Sequence, residues 1–280
     1  MRHRHAAIAL AAFASLLASA AFADDRLPDG GVAKATGTGP VQAWYGRPTD
    51  RYDHGVLGDA IEGGSLVVVD AAGERRELVL PDRYVFEDIT PRLVDLDGDG
   101  QNEVVAIRTD VAAGAAVVVY RLQAGALTEW ASTPSIGSPR RWLSIAAIAD
   151  FTGDGRLEIA VVKTPHIGGS LDLLSLEKNR LISLYPPQGG YSTHFIGSRN
   201  LSLATTGDLT GDGLAELILP DQARRRVIVL SLVDGVETLL VQDLPARVDR
   251  PMHVLAPRRI AVPLETGETL RLDVPQDLSS

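Results

Sequence analysis

Asp95-Leu-Asp97-Gly-Asp99-Gly-Gln101-Asn-Glu103 carries oxygen-bearing side chains at loop positions 1, 3, 5 and 9 and glycines at 4 and 6. The pattern recurs as Asp150-Phe-Thr152-Gly-Asp154-Gly-Arg156-Leu-Glu158 and as Asp208-Leu-Thr210-Gly-Asp212-Gly-Leu214-Ala-Glu216. The copies lie 55 and then 58 residues apart. Each runs directly into an apolar, strand-like segment: Val104 to Ile107, Ile159 to Val162, and Leu217 to Leu219. Self-similarity at such a period marks a repeat architecture, in which each unit buries its apolar face against the next.

The units read as antiparallel β-structure. Short aliphatic or β-branched runs, such as Leu66–Val69, Ala116–Tyr120 and Val227–Leu230, are bounded by Gly, Asp and Pro, and no segment after the leader has a sustained helical period. Glu103–Thr109 with Ala116–Leu122, Glu158–Lys163 with Leu171–Leu176, and Glu216–Pro220 with Val227–Leu232 form three matching hairpins. Two weaker copies are expected, His54–Asp59 with Ser65–Val69 upstream and Arg259–Pro263 with Thr269–Asp273 downstream. A strand before each loop and a fourth after each hairpin, such as Leu127–Trp130 or Val236–Val241, complete four-stranded units. The expected fold is therefore all-β, a propeller of five four-stranded antiparallel blades. Val32–Thr36 is expected to pair with the last blade and close the ring. A linear stack capped by the two degenerate units is the alternative.

Residues 1–23 read as a signal peptide: Arg2 and Arg4, an apolar stretch from Ala6 to Leu17, and Ala21-Phe-Ala23 as the cleavage site. Residues 24–280 then form a single domain in the periplasm or beyond, and no later apolar run is long enough for a membrane span. Removing Arg2 and Arg4 leaves 27 − 2 = 25 Lys+Arg against 36 Asp+Glu, so net charge moves from -9 to -11. That balance argues against nucleic acid as partner and suits a divalent cation. The chain has no cysteine, so stability rests on its core and on any bound ions.

A hard cation such as Ca²⁺ takes six to eight oxygens at about 2.3–2.6 Å. The first loop offers the carboxylates of Asp95, Asp97 and Asp99, the Gln101 carbonyl and Glu103. The second offers Asp150, Thr152, Asp154, the Arg156 carbonyl and Glu158, and the third Asp208, Thr210, Asp212, the Leu214 carbonyl and Glu216. With four carboxylates against three, the first loop is expected to bind tightest, and Arg156 to weaken the second. Up to three Ca²⁺ ions are expected, the alternative being Asp/Gly turns held by their own hydrogen bonds. In the first unit, Gly46–His54 is expected to be a packed loop with a hydrogen-bonded His54, a metal held by His54 with Asp50 or Asp53 being the lesser alternative. Pro251–Arg259 in the last unit has no carboxylate and is expected not to bind.

The loop followed by a strand resembles the FG-GAP/VCBS-type repeat of integrin α-subunit propellers and of many exported bacterial proteins. The resemblance covers Asp95–Glu103, Asp150–Glu158 and Asp208–Glu216. It implies a β-propeller with calcium between the first and second strands of a blade, and protein or glycan ligands. The FG and GAP dipeptides are not evident, and five units stand where the family has seven.

Catalytic motifs are lacking in the sequence: no G-x-S-x-G, no H-E-x-x-H, no cysteine nucleophile, and no shared spacing among His54, His166, His194 and His253. The expected role is a binding or scaffolding module, the alternative a periplasmic carbohydrate-active or other hydrolytic enzyme working on one face. A cluster of acids or histidines outside the loops would favour the enzyme. Tyr185–Tyr191 is expected to be a rigid connector, Arg224-Arg-Arg226 a hairpin tip, and Trp130 and Trp142 fillers between blades.

Overall fold

The computed structural model describes residues 26–275, so the expected signal peptide lies outside the described residues. These residues contain no helix, and hence none long and apolar enough to cross a membrane. Twenty strands form antiparallel sheets.

The first unit contains β1 (Ala33–Lys34), β2 (Pro40–Thr49), β3 (Glu62–Asp70) and β4 (Arg75–Val79), paired in that order. The second contains β5 (Tyr84–Phe86), β6 (Arg92–Val94), β7 (Glu103–Asp110), β8 (Gly114–Gln123) and β9 (Ala126–Ser132). Its innermost strand is split, since β5 pairs with the end of β7 and β6 with its start. Phe86 also pairs with Gly63, fusing the two units into one nine-stranded sheet. Gly63 permits this approach, because a Cβ there would lie 2.9 Å from that of Tyr45 and 3.3 Å from that of Phe86.

The third and fourth units are four-stranded: β10 (Leu143–Ala149), β11 (Glu158–Lys163), β12 (Ser170–Glu177), β13 (Arg180–Ser183), then β14 (Thr205–Gly207), β15 (Glu216–Pro220), β16 (Arg226–Ser231), β17 (Glu237–Asp243). The last unit has three strands, β18 (His253–Ala256), β19 (Arg259–Pro263) and β20 (Thr269–Asp273). Four apolar clusters fill the spaces between consecutive units. As expected, Trp142 is fully enclosed between the second and third units, with Trp130 packed against the same cluster.

The structure corrects two expectations for the first unit. Val32–Thr36 does not join the last sheet; Ala33 and Lys34 pair with Ala43 and Gln42 of their own unit. Gly37 and Gly39, with φ of 111° and 69°, fold residues 35–39 into a local turn, so the nearest partner strand captures the segment before a distant one can. In the first unit, His54–Asp59 is loop, and Ser65–Val69 lies within β3, the partner of β2. The alternating Gly and apolar residues of His54–Asp59 imitate a strand, but Tyr52, Val56 and Leu57 are drawn into contacts with other units instead. The segment equivalent to the metal loops is therefore the short turn at residues 35–39.

Candidate metal centre and a buried acid cluster

All three loops join the first strand of a unit to the second, where expected. Gly98 and Gly100, Gly153 and Gly155, and Gly211 and Gly213 all have positive φ, between 76° and 90°, which curls the chain around its own centre. The position-9 glutamates are almost fully buried and fasten each loop shut. Glu103 accepts from the N–H of Leu96 at 2.9 Å, Glu158 from Phe151 at 2.9 Å and Glu216 from Leu209 at 2.6 Å. Burial raises Glu103 to about 7, helped by the charges of Asp97, Asp99 and Asp95 and opposed by the Leu96 bond.

The loops differ in the oxygens that remain. In the first, ligand oxygens of Asp95, Asp97 and Asp99 lie within 4.8 Å of one another, the one such group among the described residues. Asp95 Oδ2 accepts from the N–H of Gly100 at 2.9 Å, while Asp95 Oδ1 is buried with no hydrogen-bond partner. An anionic oxygen in that position is costly unless a cation meets it, so the residues present fit a hard divalent ion. The turn at residues 35–39 braces this loop: Thr38 donates its hydroxyl to the Gly100 carbonyl at 2.7 Å, and the Asn102 amide donates to Thr36 and Pro40 carbonyls.

In the second loop Asp150 accepts from both Gly153 and Gly155, and the Arg156 guanidinium sits on Asp154 at 2.7 Å. That contact holds the Asp154 carboxyl below its ordinary range. The third loop repeats the Asp208 bonds to Gly211 and Gly213 without an arginine over Asp212. Thr152 and Thr210 direct their hydroxyls to Glu158 and Glu216, at 3.3 and 3.0 Å, and are engaged there. In the last unit Pro257 and Arg258 form only a tight turn, whose Arg258 guanidinium donates to the Thr210 carbonyl at 2.6 Å.

Other expected features are structural. Tyr185 donates to the Val233 carbonyl and Tyr191 is buried, so that segment is a packed connector. Arg224 lies over Phe195 and bonds the Val248 carbonyl, and Arg226 pairs with Asp221.

Sequence reasoning missed a second polar centre. Glu62, Glu87 and Asp88 are 2%, 0% and 0% exposed. Glu87 accepts from the Thr109 hydroxyl at 2.6 Å and meets His54 Nδ1 at 2.5 Å, which bears out the hydrogen-bonded reading of His54. Asp88 accepts from Tyr45 at 2.8 Å and from Arg92. Trp142 Nε1 donates to the Glu87 carbonyl at 2.9 Å, and its indole lies beside the linked pair His166 and His194. The adjacent acids of Phe86-Glu87-Asp88, in a break of the innermost strand, were the available signal.

Curated proteins include none that matches this chain in sequence. Among solved structures, one described as a candidate 6-phosphogluconolactonase from Bacteroides uniformis is similar over 89% of this chain and 71% of that one, with 12% identity and a TM-score of 0.42. The family pattern described as FG-GAP-like repeat matches residues 95–161, which hold the first two loops and the sheet between them, and this segment is an FG-GAP-type repeat.

Proposed function

We propose that the protein is an exported, calcium-binding five-bladed β-propeller that acts as a protein- or glycan-binding scaffold. The observation that carries the metal reading is the buried, unpartnered Asp95 Oδ1 beside Asp97 and Asp99. Asp95, Asp97, Asp99, the Gln101 carbonyl and the free Oε1 of Glu103 would hold the first ion. Asp150, Asp154 and the Arg156 carbonyl, and Asp208, Asp212 and the Leu214 carbonyl, would hold weaker ones. The ion supplies fixed positive charge that cross-links the loop, in a chain without cystines.

The ring reading is supported by contacts between distant units. Gly197, between the third and fourth units, donates to the Val56 carbonyl at 2.9 Å, and Arg199 reaches the Leu57 carbonyl and Asp59. A straight stack would hold these segments apart by the thickness of the intervening sheets, about 10 Å each. Export is supported by the pattern of residues 1–23. Grooves beside the loops, lined by Asp99, Gln101 and Arg121 at one and by Asp212, Leu214 and Glu237 at another, are where a ligand would rest next to an ion.

Thermal melts in EGTA and in 10 mM calcium test the metal reading. With Kd of about 10⁻⁴–10⁻³ M, as in extracellular calcium modules, this concentration stabilises by roughly 1.4–2.7 kcal/mol per site, a rise of about 3–11 °C. Asp97→Ala removes most of it. A melt indifferent to both chelator and ion refutes the reading. The hydrolase alternative gains support from the buried acids and histidines away from the loops.

A further inference from the structure

In the second, third and fourth units a groove opens between the metal loop and the turn that joins the third strand to the fourth. It is lined by Gln101 and Ala124 in the second unit, Arg156 and Lys178 in the third, and Leu214 and Asp234 in the fourth. Strand register makes these positions equivalent, since Val104 pairs with Tyr120, Ile159 with Leu174 and Leu217 with Leu230. The fold thus offers three versions of one cleft, and side chains alone set them apart.

The groove of the third unit has an apolar floor and a charged rim. Leu96 and Leu176 belong to the buried cluster between the second and third units, and Trp130 and Leu157 pack against it. The Arg121 guanidinium lies 4.3 Å over the Trp130 ring and occupies one face of the indole. The rim carries Asp97 from the first metal loop, Arg156 from the second, and Lys178. Its volume of about 240 Å³ lies below the roughly 300–1,000 Å³ of sites for drug-sized molecules, so it takes a single residue of a longer chain.

Neither cation is explained by its local structure. Lys178 is exposed, has no ion pair among the described residues, and stands at φ 59° in the two-residue turn between Glu177 and Arg180. A left-handed residue opening such a turn is ordinarily Gly, Asn or Asp. Arg156 stands where the other two loops have Gln101 and Leu214, and the metal loop needs only its carbonyl. Its guanidinium is half exposed, sits on Asp154 at 2.7 Å, and lines the groove at the same time. An anion in the groove therefore competes with Asp154 for Arg156, and drawing Arg156 away frees Asp154 for an ion.

We propose that this groove binds the apolar C-terminal residue of a partner polypeptide, and that Arg156 couples the binding to calcium in the second loop. The side chain rests on the leucines and Trp130, and the α-carboxylate lies between Lys178 and Arg156. The proposal rests on the reading of the protein as a calcium-binding scaffold, and it selects protein over glycan. Sugar hydroxyls on a floor of leucines would lose water without gaining partners, whereas a C-terminal residue joins an apolar group and a carboxylate at one carbon. The equivalent grooves do not suit it: the fourth has Asp212, Asp234 and Glu237 and no cation, and in the second Arg121 is turned onto Trp130. Calcium and the polypeptide then favour each other's binding by one and the same factor.

The test titrates the full chain by calorimetry with the synthetic pentapeptide acetyl-GGSAL, as the free acid and as the C-terminal amide, in EGTA and in about 10 mM calcium. The acid should bind about tenfold tighter than the amide. Lys178→Gln, an exposed change that leaves the fold intact, should weaken the acid about 2- to 5-fold. Trp44 and Trp142 are buried, so a fluorescence change on binding should come from Trp130 and vanish in Trp130→Phe. Asp154→Asn should tighten the acid in EGTA by releasing Arg156, and calcium should tighten it in the native protein more than in Arg156→Gln. Equal binding of acid and amide, or no effect of Lys178→Gln, overturns the site. Preference for hexagalacturonate over the peptide overturns the polypeptide occupant, and an Asp154→Asn variant of unchanged affinity overturns the coupling. Because the acid–amide comparison is read in EGTA, its failure is distinct from that of the calcium melts.

Discussion

Glu62→Gln should make the protein more stable, and only above acid pH. The Glu62 carboxyl is 2% exposed and raised from 4.5 to about 10, chiefly by burial and secondarily by Glu87, Asp59 and Asp88. Its folded pKa lies above its unfolded one, so the native state holds a proton that the unfolded chain releases. Its contribution is fully present below pH 4.5 and is lost as pH rises toward 10. At pH 7 the loss spans about 2.5 pH units at 1.36 kcal/mol each, or about 3 kcal/mol. Glutamine has nearly the shape of the protonated acid and cannot ionise, so its unpaired donor weighs about as much as the carboxyl proton did. Urea unfolding at pH 4 and pH 7 should give native and variant nearly equal stability at pH 4. At pH 7 the variant should gain about 3 kcal/mol, or about 6–12 °C in melting temperature for a chain of this size. A gain of the same size at both pH values, or none at pH 7, would refute the reasoning.

Arg156→Gln frees Asp154 and should strengthen calcium binding to the second loop, seen as an added site by calorimetry at millimolar calcium. Gly153→Ala should destabilise by about 1–2 kcal/mol from positive φ alone, and by more because a Cβ there would lie 2.8 Å from Leu214 Cδ2; equilibrium unfolding measures it. His194, depressed to about 4 mainly by burial, contributes stability that is present above pH 6.5 and lost as pH falls through 4. His194→Asn should therefore flatten the fall in stability between those pH values, opposite in sign to the Glu62 effect.

The metal loops were legible because their chemistry is local. Nine residues determine where the glycines bend and which carboxylates converge, and the following aliphatic run can only be a strand. The difference in side-chain placement was legible too: Arg156 sits on Asp154 in the second loop, and three acids converge in the first. The first unit was not, because its features depend on partners elsewhere. Alternation in His54–Asp59 imitates a strand, and only the packing of Val56 and Leu57 against other units shows it to be a crossing loop. The N-terminal strand was misplaced because nothing in its own residues says which edge it meets.

By itself the sequence determined the class of structure, the repeat and the convergence of Asp95, Asp97 and Asp99, since each follows from patterns within ten residues or from a period along the chain. Tertiary structure alone decided that Glu62, Glu87, His54, His166 and His194 share one region, that Glu62 lacks a partner there, and that Glu87 holds the imidazole. These residues are separated by up to 140 positions, from His54 to His194 (194 − 54). A carboxyl group is acid or base according to what surrounds it, and those surroundings are assembled only when the sheets pack.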